Sequence, residues 1–294
     1  MATSQLGKPS PQLVSVIIPV RNAASTIEEQ LEALSQQTYR GAWEVIVADN
    51  GSSDATEVIV RNWAERLPGL NFIDASDRPG ASHARNRGAA TARGEFLAFC
   101  DADDVVSPQW LESLVLTAAD FDVVTGRQDE TTLNAPVVQT WRQPRARGLP
   151  KAGFLAFVPS CNVGVWADVF ESSGGYSESY RVCEDVEWSW RVQLDDFTLG
   201  FAPGAVIHYR YRTTAREIAR QAYASGRESV HLYRDYRELG FRRRPVSLTL
   251  RTWVWLVIRL PYLGARHRRP IWVRRGSEAL GRLAGSIRFR VLFL

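Results

Sequence analysis

The chain has 294 residues, of which 45% are hydrophobic and 23% are charged, and its formal net charge is +4 at pH 7. This composition excludes a globally disordered chain, and the length allows one large domain or one domain with an appendage. The odd number of cysteines, three, argues against a disulfide framework and favours a reducing cytoplasm.

The first 125 residues alternate strand-like and helix-like segments. Apolar runs predict strands at 14–20, 44–48, 71–75, 96–100 and 122–125. Helices are predicted from the capping-box spacing at 25–28, over 81–92, and from Ser107-Pro108 onward. The polar residues 1–12 are expected to be disordered and to contain no signal peptide. Alternation at these lengths predicts an α/β fold, with a mostly parallel sheet flanked by helices.

The second half of the chain is less regular. We expect loops over 127–150, a strand at 162–166 and a helix at 184–194. A strand over 199–211 is interrupted by Pro203-Gly204, and 213–239 can form one long amphipathic helix.

The charge is distributed unevenly along the chain. Residues 241–294 contain 13 arginines, no lysine and one acidic residue, whereas residues 1–240 contain 23 basic and 31 acidic residues. An acidic body therefore carries a basic tail, and the two parts are expected to meet different partners.

The most informative run is the apolar strand 96–100, which is followed at once by Asp101, Asp103 and Asp104. Open α/β sheets bind ligands at the carboxyl ends of their strands. Mg²⁺ takes oxygen ligands from one or two carboxylates together with substrate phosphates. The run therefore predicts a site for a divalent cation and a phosphate, and the alternative is a helix cap or a solvated loop.

Asp49 ends another predicted strand, so it should lie at the same edge of the sheet as Asp101. Its carboxylate can accept a hydrogen bond from a pyrimidine imide or a ribose hydroxyl. The alternative is an Asx turn formed by Asp49-Asn50-Gly51.

Four motifs, in order across residues 14–211, resemble the inverting glycosyltransferase family 2, which has the GT-A fold. They are VIIPVRN at 16–22, VADNGSSD at 47–54, GASHARNRG at 80–88 leading to DAD at 101–103, and Glu184-Asp185. Arg21 stands where many members carry Tyr, and Asn50 where many carry a second Asp. The resemblance implies a catalytic domain at 13–212, with a nucleotide-binding half (13–125) and an acceptor-binding half (126–212), followed by a helical, Arg-rich extension at 213–294.

The resemblance also implies roles for individual residues. A nucleotide-sugar donor would be bound by Pro19, Val20, Arg21, Asn22, Asp49, Arg78, Arg85, Asp101 and Ala102. Mg²⁺ or Mn²⁺ would be held by Asp101, Asp103 and His208. Two alternatives stay open from the residues themselves: His208 as a satisfied core histidine, and Arg78 and Arg85 as arginines on solvated faces.

Asp185 is the predicted general base, with Glu184 beside it, for an acceptor hydroxyl that attacks the anomeric carbon opposite the diphosphate. The like charge of Glu184 and burial by Trp188 and Trp190 would raise the pKa of Asp185. The alternative is an acidic first turn favoured by the helix dipole. The two tryptophans cannot share one helical face, so we expect one to bind the acceptor and the other to be core.

The run 253–263 combines tryptophans with an interrupting Arg259, and it is too short to span a membrane. We expect 241–294 to bind an anionic membrane surface, which would make the protein peripheral on the cytoplasmic face of the cell membrane. The alternatives are a homodimer contact and packing against the catalytic domain.

The sequence thus predicts a metal-dependent hexosyltransferase that moves a sugar from a nucleotide-diphosphate donor to a hydroxyl acceptor, such as a lipid-linked or cell-envelope glycan. A sugar-phosphate nucleotidyltransferase would usually show a Gly-rich basic loop after the first strand, and none follows Val20. A nucleic-acid-binding protein that uses the tail is the third hypothesis. No nucleic-acid partner is expected, because the acidic body would repel phosphates.

Overall fold

The computed structural model describes residues 7–142 and 148–294. The expectations for residues 1–6 and for 143–147 lie outside the described residues. Within the segment that is expected to be disordered, Lys8 contacts the body of the protein. The Lys8 amide donates to the carbonyl oxygen of Ala119 over 2.7 Å, and its ammonium lies 2.6 Å from the Asp122 carboxylate.

The described residues form one eight-stranded sheet flanked by helices. The strands are β1 (Leu13–Val20), β2 (Ala42–Asp49), β3 (Asn71–Asp74), β4 (Phe96–Cys100), β5 (Val105–Val106), β6 (Val123–Asp129), β7 (Asn162–Trp166) and β8 (Leu199–His208). The helices are α1 (Ile27–Ser35), α2 (Thr56–Arg61), α3 (Ala81–Thr91), α4 (Trp110–Thr117), α5 (Pro136–Gln139), α6 (Ala167–Ser172), α7 (Glu184–Leu194), α8 (Ala215–Tyr236), α9 (Val246–Ile258) and α10 (Arg269–Phe289).

The sheet is mixed, with strand order β3-β2-β1-β4-β7-β6-β8-β5. The pairs β1–β2, β1–β4, β2–β3 and β6–β8 are parallel, whereas β7 runs antiparallel to both β4 and β6. The strand over 199–208 continues through Pro203-Gly204 because the register shifts between Gly126 and Arg127 of β6, which accommodates the extra residues as a bulge.

Two predicted helix starts differ from the structure. The spacing at 25–28 does not form a capping box, because Thr26 is the N-cap residue and makes no side-chain cap bond. The helix expected from Ser107-Pro108 begins two residues later, at Trp110. A capping box does form at Thr214, whose side chain accepts from the Glu217 amide.

The parallel strands β1, β2 and β4 end at one edge of the sheet, as the sequence predicts. Val20 pairs with Asp49, and Ile17 pairs with Phe99. Helix α3 lies directly on β1, since a Cβ on Gly88 would approach Ile17 Cγ2 to 2.5 Å. This close packing brings the side chains of α3 to the same edge.

The C-terminal extension packs on the body through a second hydrophobic cluster. Trp190 of α7 lies 5.3 Å from Tyr236 of α8 and 4.9 Å from Phe241, measured between ring centroids. Helices α8 and α10 approach so closely that a Cβ on Gly226 would lie 2.1 Å from the Glu278 carbonyl oxygen. Within the described residues, no helix has both the length and the apolar character to cross a bilayer.

Candidate active site

A cavity of about 590 Å³ opens at the carboxyl edge of the sheet. The loops after β1, β2 and β4, the start of α3 and the segment after β8 contribute its walls. The residues that line it are Pro19, Val20, Arg21, Asn22, Ala23, Ser25, Thr26, Asn50, Gly80, Ala81, Ala84, Arg85, Asp101, Ala102, Asp103, Arg210, Tyr211, Arg212, Thr213 and Glu217.

The loop after β1 is held by the loop after β2. Asn22 has a left-handed backbone (φ 52°), which Asn tolerates better than most residues. Its amide donates to Ser52 Oγ over 2.8 Å, and its side-chain oxygen accepts from the Ser53 amide over 2.8 Å. All four residues predicted to bind the donor in this loop therefore line the cavity, at 19–22.

Asp49 is not among the cavity-lining residues. Its carboxylate accepts from the Ser52 amide over 3.0 Å and from the Ser52 hydroxyl, which is the turn chemistry that the sequence left open. The neighbouring Asn50 lines the cavity instead.

Asn50 organises the loop that leads into α3. Its amide nitrogen donates to the carbonyl oxygens of Ala75 and Arg78, over 2.5 and 2.8 Å, and its oxygen accepts from the Gly80 amide over 2.8 Å. An aspartate has no donor for these two carbonyls. The departure from the family motif at this position thus has a local structural reason.

Arg85 joins two acidic groups that are far apart in sequence. Its Nη2 donates to Asp101 Oδ1 over 2.7 Å and its Nη1 donates to Glu184 Oε1 over 2.9 Å. Arg85 is 3% exposed, so it is not the solvated arginine that the sequence left open. Together with Asp101 and Asp103, it lines the cavity.

The two carboxylates of the Asp-Ala-Asp motif differ in their partners. Asp101 is paired with Arg85, whereas burial and the like charge of Asp101 raise the pKa of Asp103, against the attraction of Arg212. A divalent cation would remove this cost, and carboxylate oxygens are the donors that Mg²⁺ and Mn²⁺ prefer. The donor set at this edge therefore fits such a cation.

A second group of possible ligands lies beside the motif. Ligand atoms of Asp101, Asp104 and Cys161 lie within 4.8 Å of one another. A thiolate suits softer metals, and the Cys161 sulfur already accepts from Gln128. Oxygen donors make Asp101 and Asp103 the better match for a hard cation.

His208 is not among the residues that line the cavity. Its Nδ1 lies 2.8 Å from Asp129 Oδ2, and Val105 pairs with it in the sheet. Although burial opposes the shift, hydrogen bonds from Thr131, Thr132 and His208 lower the pKa of Asp129. A carboxylate in this position fixes the orientation of the imidazole ring.

Glu184 and Asp185 open helix α7. Cys183, immediately before them, has a left-handed backbone (φ 67°), which is costly for a side chain other than Gly or Asn. Burial and the like charge of Asp185 raise the pKa of Glu184 to about 7, against the attraction of Arg85. Asp185 does not line the cavity. Asp185 is connected to the cavity through its neighbour Glu184, which Arg85 joins to Asp101. Asp185 is half-buried, whereas Glu184 is buried.

The structure corrects the expected acceptor role of the tryptophans. Trp188 and Trp190 are both 0% exposed, so neither presents a surface to an acceptor. The Nε1 of Trp188 donates to Ser173 Oγ, and that of Trp190 donates to the Leu155 carbonyl oxygen. They lie on different faces of α7, as expected, but each face packs into its own hydrophobic cluster.

Arg78 does not line the cavity either. Its side chain is 71% exposed, and its guanidinium lies 3.5 Å from Glu178. It is the solvated arginine that the sequence left open.

Sequence reasoning missed the wall formed by the segment after β8. Arg210 Nε donates to the Asp103 carbonyl oxygen over 2.9 Å, and its amide donates to Asp104 Oδ1 over 2.8 Å. Arg212 acts on the Asp103 carboxylate through its charge. The signal in the sequence is a pair of arginines two and four residues after His208.

Comparison with known proteins finds relatives in sequence and in fold. Residues 15–157 match the model of glycosyl transferase family 2. Glycosyltransferase AglE of Haloferax volcanii is 29% identical over 225 residues, covering 75% of this chain and 74% of its own length.

Solved structures share the fold. Mannosyltransferase PcManGT from Pyrobaculum calidifontis, in complex with GDP-Man and Mn²⁺, superposes with a TM-score of 0.63 at 21% identity, over 94% of this chain and 88% of its own. TarS 1-349 of S. aureus in complex with UDP-GlcNAc gives a TM-score of 0.55 at 16% identity, over 96% and 93%. At these identities the likeness shows the fold, which is of the GT-A type predicted from the motifs.

Proposed function

From the membership of this chain in glycosyltransferase family 2, which makes it a nucleotide-sugar glycosyltransferase, we propose that it is a metal-dependent, inverting hexosyltransferase. It moves a sugar from a nucleoside-diphosphate donor to a hydroxyl group of a lipid-linked or cell-envelope glycan. Within the chain, 13–125 would bind the nucleotide and 126–212 the acceptor, with 213–294 as a helical extension.

The observation that carries the proposal is the composition of one cavity. The loop at 19–22 that is expected to hold the base, the carboxylates of Asp101 and Asp103, and the guanidinium groups of Arg210 and Arg212 all line it. The cavity thus offers carboxylates to a divalent cation and guanidinium groups to the diphosphate that the cation would also bind. PcManGT and TarS have been solved with GDP-Man and UDP-GlcNAc, which supports a nucleotide-sugar donor for this chain.

Asp103 would hold the cation directly, because Asp101 is already paired with Arg85. His208 is predicted as a further ligand, but it does not line the cavity and its Nδ1 lies 2.8 Å from Asp129 Oδ2. A bound Mg²⁺ or Mn²⁺ would neutralise the charge that develops on the departing diphosphate. The Mn²⁺ in the PcManGT complex supports this assignment.

Asp185 would act as the general base. It would take the proton of the acceptor hydroxyl while that oxygen bonds to the anomeric carbon and the bond to the diphosphate breaks on the opposite face. A single displacement of this kind inverts the anomeric configuration. Asp185 is half-buried next to Glu184, whose carboxylate accepts a hydrogen bond from the cavity-lining Arg85, and this proximity supports the choice.

A panel of nucleotide sugars, scored by diphosphate release with Mg²⁺ or Mn²⁺, tests the proposal. Asp103→Ala and Asp185→Asn should each lose about 10²–10³-fold in turnover, because a partner of transition-state charge is removed. Asp120→Asn, on an exposed residue outside the site, is the control. Full turnover in both site variants would contradict the site assignment. Retention of anomeric configuration in the product would contradict the mechanism.

We further propose that the protein is peripheral on the cytoplasmic face of the cell membrane. One face of α9 exposes apolar side chains, among them Leu250 (64%), Val257 (73%) and Ile258 (65%), in a helix that begins and ends among arginines. Tryptophans, apolar side chains and arginines suit an anionic membrane interface.

Sedimentation with phosphatidylglycerol vesicles tests this placement. The double variant V257S/I258S should bind several-fold more weakly than the wild type. The matched control, V58S/L116S, changes side chains of similar exposure (63% and 68%) on the catalytic domain and should bind as the wild type does. Equal binding by all three proteins would overturn the placement, and a dimer in light scattering that V257S/I258S dissociates would favour a homodimer contact instead.

A further inference from the structure

A second cavity, of about 630 Å³, lies between the C-terminal extension and the catalytic domain. Its walls come from α9 and α10, with contributions from residues around the end of β6 and β8. It is lined by Arg142, Arg244, Arg251, Arg274, Arg275, Arg282, Glu130, Glu278, Tyr211, Leu248, Thr252 and Trp255. Six arginines thus face two glutamates, and we call this the arginine cavity.

The positive charge of the arginine cavity is built into the fold. Arg282 is 5% exposed and pairs with Glu278 over 2.6 Å, yet its buried Nε has no hydrogen-bond partner among the residues that the structure describes. The buried Nε of Arg274 likewise has no hydrogen-bond partner among the described residues. Burial of an arginine donor without a partner is costly, so these groups point to a missing acceptor.

The electrostatics agree with this geometry. Burial and the charge of Arg282 lower the pKa of Arg244. Burial and the charges of Arg142 and Arg275 lower the pKa of Arg274, against the attraction of Glu278. The cavity therefore carries more positive charge than its own carboxylates neutralise, and an anion would relieve the repulsion.

Helix α9 presents two different faces. The face toward the arginine cavity carries Leu248, Arg251, Thr252 and Trp255, at helical spacing. The opposite face carries exposed apolar side chains at Val246, Leu250, Val254, Val257 and Ile258. A ligand with an anionic head and an apolar chain would match both faces.

The arginine cavity adjoins the candidate active site. Tyr211 lines both cavities, and the Arg142 guanidinium lies 4.9 Å above its ring centroid. Arg212, the next residue, lines the active-site cavity. A group anchored among the arginines therefore lies beside the proposed donor site, on the side of the extension.

We propose that the arginine cavity binds the phosphate or diphosphate group of the acceptor substrate. The acceptor is then a phosphate-bearing lipid or glycan, held by its anionic group while its hydroxyl reaches the donor. The binding site stands on the cavity alone, whereas its identity as an acceptor site rests on the proposed function.

Calorimetric titration of the full chain with inorganic pyrophosphate tests the binding site. The double variant R244Q/R251Q should bind about 10-fold more weakly or worse, since charge-assisted hydrogen bonds are lost. The matched control R243Q/R266Q removes the same charge from exposed positions of the extension that do not line the cavity, and should keep wild-type affinity. R251Q alone, at an exposed side chain, should weaken binding without a change in the unfolding midpoint.

Equal affinity in the double variant and the control would overturn the site. So would an equal loss in both, since the effect would then come from net charge. Geranyl diphosphate and phosphatidylglycerol vesicles distinguish the sources of the phosphate. Tighter binding of geranyl diphosphate than of pyrophosphate, with both lost in R244Q/R251Q, supports a phosphate-bearing lipid acceptor. Vesicle binding without pyrophosphate binding would overturn the proposal in favour of a general lipid surface.

Nucleotide-sugar turnover by the wild type, measured in parallel, reports on the proposed function separately. A wild type that binds pyrophosphate in the arginine cavity but turns over no nucleotide sugar keeps the binding site and contradicts the proposed function. The opposite result keeps the function and contradicts the binding site.

Discussion

Arg85 donates from Nη2 to Asp101 Oδ1 over 2.7 Å, so the first aspartate of the Asp-Ala-Asp motif is held by a buried cation from α3. The other end of the same guanidinium bonds Glu184, which lies 99 residues along the chain. One side chain thus connects the proposed metal site to the helix that carries the proposed base. It leaves Asp103 as the carboxylate with the greater need for a cation.

Replacement of Arg85 should be severely destabilising. Arg85→Gln leaves Asp101 and Glu184 without their shared cation, which should cost about 3–5 kcal/mol in the free energy of unfolding. Urea unfolding measures it, with Arg78→Gln, at a 71% exposed side chain, as the control that should change stability by about 0.5 kcal/mol or less. The double variant R85Q/E184Q should regain part of the loss. A stability equal to that of Arg78→Gln would contradict the bridging role.

Metal binding should depend on Asp103. Since burial and Asp101 disfavour the charge of Asp103, Mn²⁺ should raise the melting temperature of the wild type by stabilising the charged form. Asp103→Asn should lose this response, while Asp120→Asn should retain it. If Mn²⁺ still raised the melting temperature of Asp103→Asn, the metal site would have to be formed by other residues.

Asn50→Asp should disturb the loop that leads into α3. A carboxylate at this buried position would face the carbonyl oxygens of Ala75 and Arg78 without a donor, at a cost of about 1–3 kcal/mol. Chemical denaturation of the variant checks the expected loss. Asn62→Asp, at an exposed residue of the catalytic domain, is the control. An unchanged or increased stability would show that Asn50 does not organise this loop.

His83 should make stability depend on pH. Its two ring nitrogens lie 2.8 Å from Asp77 and 2.9 Å from Glu178, and although burial opposes the shift, these carboxylates raise the pKa of His83 above 6.5. The protonated form is therefore favoured in the folded state. The contribution of His83 to the free energy of unfolding is fully present below the pKa that His83 has in the unfolded chain. It is lost as the pH rises through the higher pKa that His83 has in the folded protein.

Unfolding measured from pH 6 to 8.5 should show this decline in the wild type, and His83→Gln should flatten it. His267→Gln, at an exposed histidine, should keep the wild-type profile. If His83→Gln and the wild type declined in parallel, another group would be responsible.

Gly281→Ala should loosen the extension. The added Cβ would lie 2.1 Å from the Tyr223 carbonyl oxygen, so α10 would have to move away from α8, at a cost of about 1–3 kcal/mol. Gly264→Ala is the matched control, because its Cβ would meet nothing closer than 3.6 Å. Thermal unfolding compares the two. Equal melting temperatures would show that the two helices do not need this close approach.

Local pattern predicted much of the fold. The strands 96–100 and 162–166 and the helix 184–194 have the predicted bounds, because apolar runs and turn residues mark both of their ends. The spacing at 25–28 predicts a capping box that does not form, whereas one forms at Thr214. Capping spacing alone does not show which residue adopts the N-cap backbone, since the preceding chain decides that.

The arrangement of strands and side chains that are distant in the chain could not be predicted from the sequence in the same way. The sequence did not reveal that β7 runs antiparallel between β4 and β6, because strand direction depends on how the chain returns to the sheet. The sequence allows Trp190 to bind the acceptor or to lie in the core. Its ring contacts with Tyr236 and Phe241, which are distant in the chain, place it in the core. Arg210 reaches Asp103 from 107 residues away, and no local motif marks it.

The sequence by itself determined most of the strands and helices, the family and the edge of the sheet where the aspartates gather, because these depend on residue spacing within single segments. Only the tertiary structure decided which charges meet. Arg85 with Glu184, Arg210 with Asp103 and the arginine cavity are all made by segments distant in the chain. Their pairing depends on packing in three dimensions, which places charged groups at distances of a few ångströms, where Coulomb energies become decisive.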